Sequence, residues 1–249
     1  MEITQYNDYF RFRGMAPDDP RTARLPPWLI KVLPSEKNAR ILDIGCGFGR
    51  MLCALKNAGY TELAGIDLED DAIAYCHTLG LDVTKASVLE YAGAGVRYDV
   101  VIMTHVLEHL PKAQTISTLR KIATALLTPT GSLIITVPNA QSNTGCYWMY
   151  EDWTHETLYT AGSLLYVLRM AGYQEIKICD PFGVEGARWQ RRFIRRTLLR
   201  FYDAHMRFWN WVTSSAYHAP SPRVYSFELK AIARQSNNAG EAKGVLQAS

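Results

Sequence analysis

The sequence predicts an α/β fold: an open, mainly parallel sheet with helices on both faces. Three observations point there. Short apolar runs alternate with stretches of helical periodicity through most of the 249 residues. The first run, Ile41 to Ile44, enters a turn with glycines at 45, 47 and 49, and a helix-compatible segment, Met51 to Ala58, follows. The second run, Leu63 to Asp67, ends in an acid about 20 residues past the turn, the place where a nucleoside-binding unit sets a carboxylate on ribose hydroxyls.

The totals are compatible with that architecture. A chain of this length holds one sizeable core, and 48% hydrophobic with 20% charged residues excludes a disordered chain. The five cysteines, 46, 53, 76, 146 and 179, are scattered without metal spacing. They are expected to be reduced thiols, which suggests a cytoplasmic protein. Cys46 lies inside the glycine turn with no neighbouring base in sequence, so it reads as a small turn residue. No signal peptide and no apolar run of about 18 residues is read.

The elements follow in order. Residues 1–18 form an aromatic, mixed-charge arm containing Tyr6, Tyr9, Phe10, Phe12 and Arg13. Trp28 to Leu33 is a short helix candidate with Pro27 at its start, so residues 1–37 are an N-terminal arm and helix. The strand and glycine turn occupy 40–50. Glu69-Asp70-Asp71 opens a helix over Ala72 to Thr78, acids suiting the positive helix end. Leu81 to Val83 and Ala86 to Val88 read as a third strand and its end. Tyr98 to Met103 is a continuously apolar fourth strand, as a parallel core strand should be.

The fourth strand runs into Thr104-His105-Val106-Leu107-Glu108-His109-Leu110-Pro111. His105, Glu108 and His109 spell H-x-x-E-H, a zinc signature when both histidines share a helix face. Here the motif follows a strand directly and Pro111 interrupts it. A ligand-facing loop at the strand's carboxyl end is therefore favoured, and no metal is assigned. Lys112 to Leu127 is a sheet-covering helix, broken by Pro129 and Gly131. Ser132 to Val137 is the fifth strand, Gly162 to Ala171 a helix, Glu175 to Cys179 the sixth strand and Val224 to Ala233 the last. The polar residues 235–249 are expected to be a disordered tail after a single domain over 1–234.

The turn, D-x-G-x-G-x-G from Asp43 to Gly49, departs from the dinucleotide fingerprint G-x-G-x-x-G. It resembles motif I of class I S-adenosylmethionine-dependent methyltransferases. V-L-E-H-L after the fourth strand resembles a run common in them. The run from His155 through Tyr159, Thr160, Ser163 and Leu164 to Ala171-Gly172-Tyr173 resembles one in methyltransferases associated with bacterial cell-surface polysaccharide synthesis. The resemblance covers residues 38–180. It implies a Rossmann-like, doubly wound sheet of seven strands with an antiparallel last strand, and S-adenosylmethionine as cofactor.

It also implies site residues. Asp43, Gly45, Cys46, Gly47 and Gly49 lie against the methionine part of the cofactor. Asp67 and Leu68 lie at the ribose, Ser87, Val88 and Leu89 at the adenine, and Thr104 and His105 near the methionine half. Tyr9 and Arg13 of the arm are expected near the cofactor's carboxylate. The implied reaction is O-methylation, with a sugar hydroxyl of a surface glycan or its lipid-linked precursor as acceptor. Tyr147, Trp148, Tyr150 and Trp153 are the substrate-facing candidates, because flat rings interleaved with carboxylates suit polyhydroxylated ligands. A hydroxyl acceptor benefits from a base. His155 is the first candidate, Asp152 its orienter or substitute, and His109 the third.

The same aromatics suit a small phenolic, quinone or natural-product acceptor, or pack as a cluster under a loop. Two other classes stay open: an NAD-dependent oxidoreductase, disfavoured by the glycine spacing, and a non-catalytic cofactor-binding subunit docking on a membrane or a glycosyltransferase. Residues 188–215 read as a helical insertion. Between 188 and 212 seven arginines face one acid, Asp203, with tryptophans and phenylalanines interspersed. That pattern suits an anionic membrane surface, at the inner face for a cytoplasmic protein. It equally suits packing on the domain or on a second subunit. The charge sits on one insertion, so nucleic acid is not assigned as a partner.

Overall fold

The computed structural model describes residues 9–92, 95–216 and 221–236. Tyr6 and nearly all of the expected tail lie outside the described residues. The strands are β1 (Ile41–Ile44), β2 (Leu63–Asp67), β3 (Val83–Lys85), β4 (Tyr98–Thr104), β5 (Leu127–Pro138), β6 (Glu175–Cys179) and β7 (Glu228–Arg234). They form one seven-stranded sheet in the order β3-β2-β1-β4-β5-β7-β6. Strand β7 is antiparallel to both neighbours, and the pairs from β3 across to β5 are parallel. The expected fold class, with an antiparallel last strand, is what the chain adopts.

The helices are α1 (Tyr9–Phe12), α2 (Pro27–Ile30), α3 (Arg50–Asn57), α4 (Asp70–Thr78), α5 (Val88–Tyr91), α6 (Lys112–Lys121), α7 (Tyr147–Glu151), α8 (Ala161–Met170) and α9 (Trp189–Val212). Alternate side chains of the central strands feed two cores. Leu42, Ile44, Val101, Met103, Leu133 and Ile135 pack with Leu119 of α6 and Leu164 and Leu168 of α8. Ile41, Val100, Ile102 and Ile134 pack with Trp28 and Leu29 of α2 and Leu55 of α3. Burial on both faces is why these strands read as unbroken apolar runs. Asp43 is the exception, an acid in the middle of the fully buried β1.

Several boundaries differ from expectation: α2 ends at Ile30 rather than Leu33, β3 is Val83–Lys85 rather than Leu81 to Val83, and four others differ for a local reason. The stretch from Ser87 is not a strand end. Ser87 and Glu90 form a capping box, a signal for a helix start, so Val88 begins α5. Strand β5 begins at Leu127, not Ser132. Leu127 pairs with Tyr98, the register shifts, and Ser132 resumes against Val100. Pro129 and Gly131 thus mark an excursion within the strand. The helix before it ends as α6 and passes into a π-helical turn, Ile122–Leu126. Strand β7 begins at Glu228, because the carbonyls of Val224 and Ser226 accept from the buried Asn139 amide.

Those two bonds, at 2.7 and 2.8 Å, tie the strap before β7 to the end of β5. Asn139→Ala leaves two buried carbonyls without a donor. It is expected to destabilise the protein by about 2 kcal/mol, read as a lowered denaturant midpoint; an unchanged midpoint contradicts the tie.

Candidate active site

The glycine turn is held by three backbone-directed bonds. Gly45 and Cys46 donate their N–H groups to the Ile66 carbonyl, and Gly47 donates to Asp67 Oδ2 at 2.7 Å. All three glycines take positive φ: +67°, +50° and +75°. A Cβ on Gly45 would collide with Val106, and one on Gly49 with Leu81 and Cys76. Glycine is therefore required sterically as well as conformationally. Gly49 precedes α3 with no side-chain cap, so the first N–H groups of that helix face the turn. Asp67 Oδ1 accepts from the N–H groups of Leu68 and Glu69. Its carboxylate thus organises the loop after β2 and has further lone pairs.

Burial, with the nearby charge of Asp67, pushes the Asp43 carboxyl up to about 8. The adenine-side candidates lie at the start of α5. Ser87 spends its hydroxyl and N–H on Glu90, Val88 is buried and Leu89 is half exposed. Cys46 is buried, and its hydrogen bond with Cys76, together with burial, raises its thiol, which suits a packing residue.

At the carboxyl end of β4 the loop bends sharply. His105 has φ +55°, a left-handed conformation for a residue with a side chain, and its N–H bonds the Thr136 carbonyl of β5. Thr104 ends the strand opposite Thr136. The His105 ring lies between Glu108 Oε1, at 3.1 Å, and Glu228 Oε1, at 2.9 Å. Burial opposes its charge, but the two carboxylates prevail and push it up to about 10. It is an imidazolium bridging the β4 loop to β7.

A short 3₁₀ turn, Leu107–His109, then aims Glu108 and His109 at the segment after α7. The Glu156 and Thr157 N–H groups bond the Glu108 carbonyl. This brings His155 beside His109, ring centroids 4.7 Å apart. His155 Nδ1 bonds the Trp148 carbonyl at 2.6 Å. A carbonyl only accepts, so the network assigns the ring proton to Nδ1 and the lone pair of the neutral ring to Nε2. That atom is 3.7 Å from Asp152 Oδ2 and 4.0 Å from Glu108 Oε1. The Thr154 hydroxyl gives its proton to Asp152 Oδ1, so His109 Nδ1 is the donor in its 2.8 Å bond to Thr154. Burial holds the His109 ring below its ordinary value, hence neutral near pH 7.

Asp152 collects the rest. It accepts from the Tyr9 hydroxyl at 2.7 Å and lies 3.7 Å from Arg13 Nε. Burial would raise its carboxyl, but hydrogen bonds from Thr154 and Tyr9 hold it below the usual range. Tyr9 also donates its N–H to Glu69, and Phe10 lies over Gly47. Helix α1 therefore crosses from the glycine turn to Asp152. Tyr9 and Arg13 meet at that acid, not at a place the sequence could have named.

The three expected catalytic residues are thus brought together. Of the aromatic candidates, Trp148 packs against Phe227 and Tyr147, while Tyr147, Tyr150 and Trp153 are exposed. Glu108 and Glu228 were not expected in the site. The H-x-x-E-H spacing drew attention to Glu108, but nothing local marks Glu228, more than a hundred residues away.

Comparison with known proteins bears on the family and the fold. A family model described as "Methyltransferase domain" matches residues 15–211. A ubiquinone biosynthesis O-methyltransferase of Bordetella avium is 27% identical over 121 residues, covering 45% of this chain and 48% of that protein. One from Azorhizobium caulinodans is 30% identical over 109 residues, covering 41% and 42%. The chain thus spans about half the length of the curated relatives it matches. A SAM-dependent methyltransferase structure from Archaeoglobus fulgidus shares the fold, with TM-score 0.57, 22% identity, and 80% and 86% of the two chains covered.

Asp43 gives a pH test. An acid whose folded value lies above its ordinary 3.8 loses stability as pH rises from there to about 8, and no further above it. Thermal melts at steps from pH 5 to 9 should show Asp43→Asn gaining on the ligand-free wild type up to pH 8. A constant difference across the range rules this out.

Proposed function

The chain belongs to the methyltransferase-domain family, and we propose that it transfers a methyl group from S-adenosylmethionine to a hydroxyl oxygen. The observation that carries this is the meeting of His155 and Asp152, from the segment after α7, with His109 of the β4 loop, which packs against the glycine turn through Val106. The glycine turn and α3 take the methionine part of the cofactor, Asp67 the ribose, and the loop entering α5 the adenine.

The reaction is an in-line displacement. The acceptor oxygen forms the new bond to the methyl carbon, and the carbon–sulfur pair returns to sulfur, giving S-adenosylhomocysteine. The hydroxyl proton passes to His155 Nε2. The resulting imidazolium keeps its Nδ1–H on Trp148 and gains the charge of Asp152 at 3.7 Å. Alignment supplies much of the rate, and a dry site helps where charge disperses.

For the acceptor, a phenolic or quinol ring is favoured by the names of the curated relatives. A sugar hydroxyl of a surface glycan, or of its lipid-linked precursor, is the second reading. It is favoured by Tyr150 and Trp153, 76% and 89% exposed, beside Glu151 and Glu156. Methyl label from S-adenosylmethionine, supplied to a source-cell extract, is expected in lipid-soluble aromatics. Label in polymer instead would establish the second reading. His155→Ala is expected to lower turnover by roughly 10²–10⁴ with S-adenosylhomocysteine affinity near wild type. Collapse of cofactor binding would sink the base assignment.

Helix α9 fits an amphiphilic acceptor. Its 24 residues include none that is buried. The side facing the domain carries Tyr202, edge-on to Tyr225, and Asp203, paired with Arg207 and Arg223. At 3.6 residues per turn, the exposed Phe193, Ile194, Leu198, Phe201, Phe208 and Trp211 share the outward side. Arg196, Arg200 and Arg207 run along one margin of it, and Arg191 and Arg195 along the other. An outward apolar stripe between arginine rows suits the plane of an anionic bilayer, at its cytoplasmic face. No described helix is long and apolar enough to cross a membrane. Vesicles rich in anionic phospholipid should co-sediment the wild type, and the Phe201→Glu, Phe208→Glu double variant should stay in the supernatant. Equal sedimentation of both would overturn the contact.

A further inference from the structure

We propose that Glu108, His109 and His155 form a divalent-metal site of the zinc type at the carboxyl end of β4. One ligand atom from each lies within 4.8 Å of the other two. This set differs from the H-x-x-E-H of the sequence: His105 is turned to Glu228, and His155 comes from the far side of β5.

Three features prepare these donors for a cation. The Glu108 side chain is fully buried, and among the described residues its Oε2 has no hydrogen-bond partner. An orphaned carboxylate oxygen in the interior is costly unless something satisfies it. Both imidazoles are oriented through Nδ1, His155 by the Trp148 carbonyl and His109 by Thr154, which is itself bonded to Asp152. Each then offers Nε2, the outer bond fixing tautomer and ring plane as it does for metal-bound histidines generally. Finally, Glu108 Oε1 is braced by His105.

Two imidazoles and one carboxylate are a zinc donor set that leaves a coordination position open, whereas magnesium and calcium favour oxygen ligands. Donors at ~2.0 Å around one tetrahedral ion sit roughly 3.3 Å apart. The 4.0 Å between His155 Nε2 and Glu108 Oε1 therefore closes by well under an ångström.

The role of the ion rests on the O-methylation reading; its binding does not. The acceptor hydroxyl would occupy the open position, where the cation favours loss of its proton. With the metal bound, the His155 lone pair is taken and Asp152, 3.7 Å from it, replaces His155 as the proton acceptor of the metal-free reading. The oxygen then takes the methyl group and sulfur keeps the bonding pair.

The test uses the full chain, stripped with a chelator and titrated with Co²⁺ and Zn²⁺. Wild type should bind one equivalent. It should develop the visible absorption of four-coordinate Co²⁺, bleached by Zn²⁺, and melt at a higher temperature with zinc. Glu108→Gln and, separately, His109→Gln should lose the absorption and the zinc-induced shift while still binding S-adenosylhomocysteine, which shows that they fold. No absorption and no shift in wild type overturns the site, as does undiminished binding in both variants. Metal bound without methyl transfer to any hydroxyl keeps the site and sinks the functional reading. Methyl transfer in a metal-free, chelator-treated protein keeps the functional reading and sinks the ion's role in it.

Discussion

The buried Glu108 carboxylate sets the terms for everything at the carboxyl end of β4. A carboxylate with no exposed surface calls for donors or cations around it, and residues from three parts of the chain gather there. His105 reaches it from the same loop, at the cost of a left-handed backbone. His155 approaches from the segment after α7. Glu228 adds a second carboxylate that stabilises the charged His105. The peptide carbonyl of Glu108 also accepts the N–H groups of Glu156 and Thr157. One residue thereby orients the loop and the fifth inter-strand connection and, through His105, meets the first residue of β7. The histidines meet because that carboxylate has to be accommodated.

Much of the frame was legible because its physics is local. Unbroken apolar runs announce parallel strands buried on both faces. A turn with glycines at 45, 47 and 49 announces close backbone approach, and Gly45 against Val106 bears that out sterically. The misplaced boundaries share a cause: a local signal with two meanings. Pro129 and Gly131 break a helix, but they also permit an excursion in a strand. Ser87 continues an apolar stretch, but with Glu90 it caps a helix. Asn139 looks like the residue after a strand. Its amide in fact organises the strap into β7, a role visible only once residues 224 and 226 lie beside it.

The site was half legible for a related reason. His155, Asp152 and His109 were chosen for chemistry, and their grouping depends on contacts spanning more than forty residues. The tautomers, the Tyr9 contact with Asp152 and the Glu228 contact with His105 have no signature in spacing. Helix α9 was legible as basic and aromatic. Its orientation was not, since periodicity alone cannot say which side faces the domain. Asp203 decides it: the helix's lone acid points inward to Arg223 and Tyr225 and leaves the apolar stripe outside.

Helix α1 joins the two halves of the site. Tyr9 donates its N–H to Glu69, at the end of the β2 loop, and its hydroxyl to Asp152, in the acceptor half. Between those bonds Phe10 lies over Gly47 and packs on Phe48. Both bonds are made by Tyr9, the first residue of the turn, and Arg13 just past its end donates to the Glu151 carbonyl. A ligand seated against Gly47 must displace or share space with the Phe10 ring, and any such shift is felt by Tyr9 and so by Asp152. Loss of the Tyr9 bond would let the Asp152 carboxyl rise and would remove one of the groups that fix it beside His155. Helix α1 therefore touches both the glycine turn and Asp152, through residues that belong to neither motif.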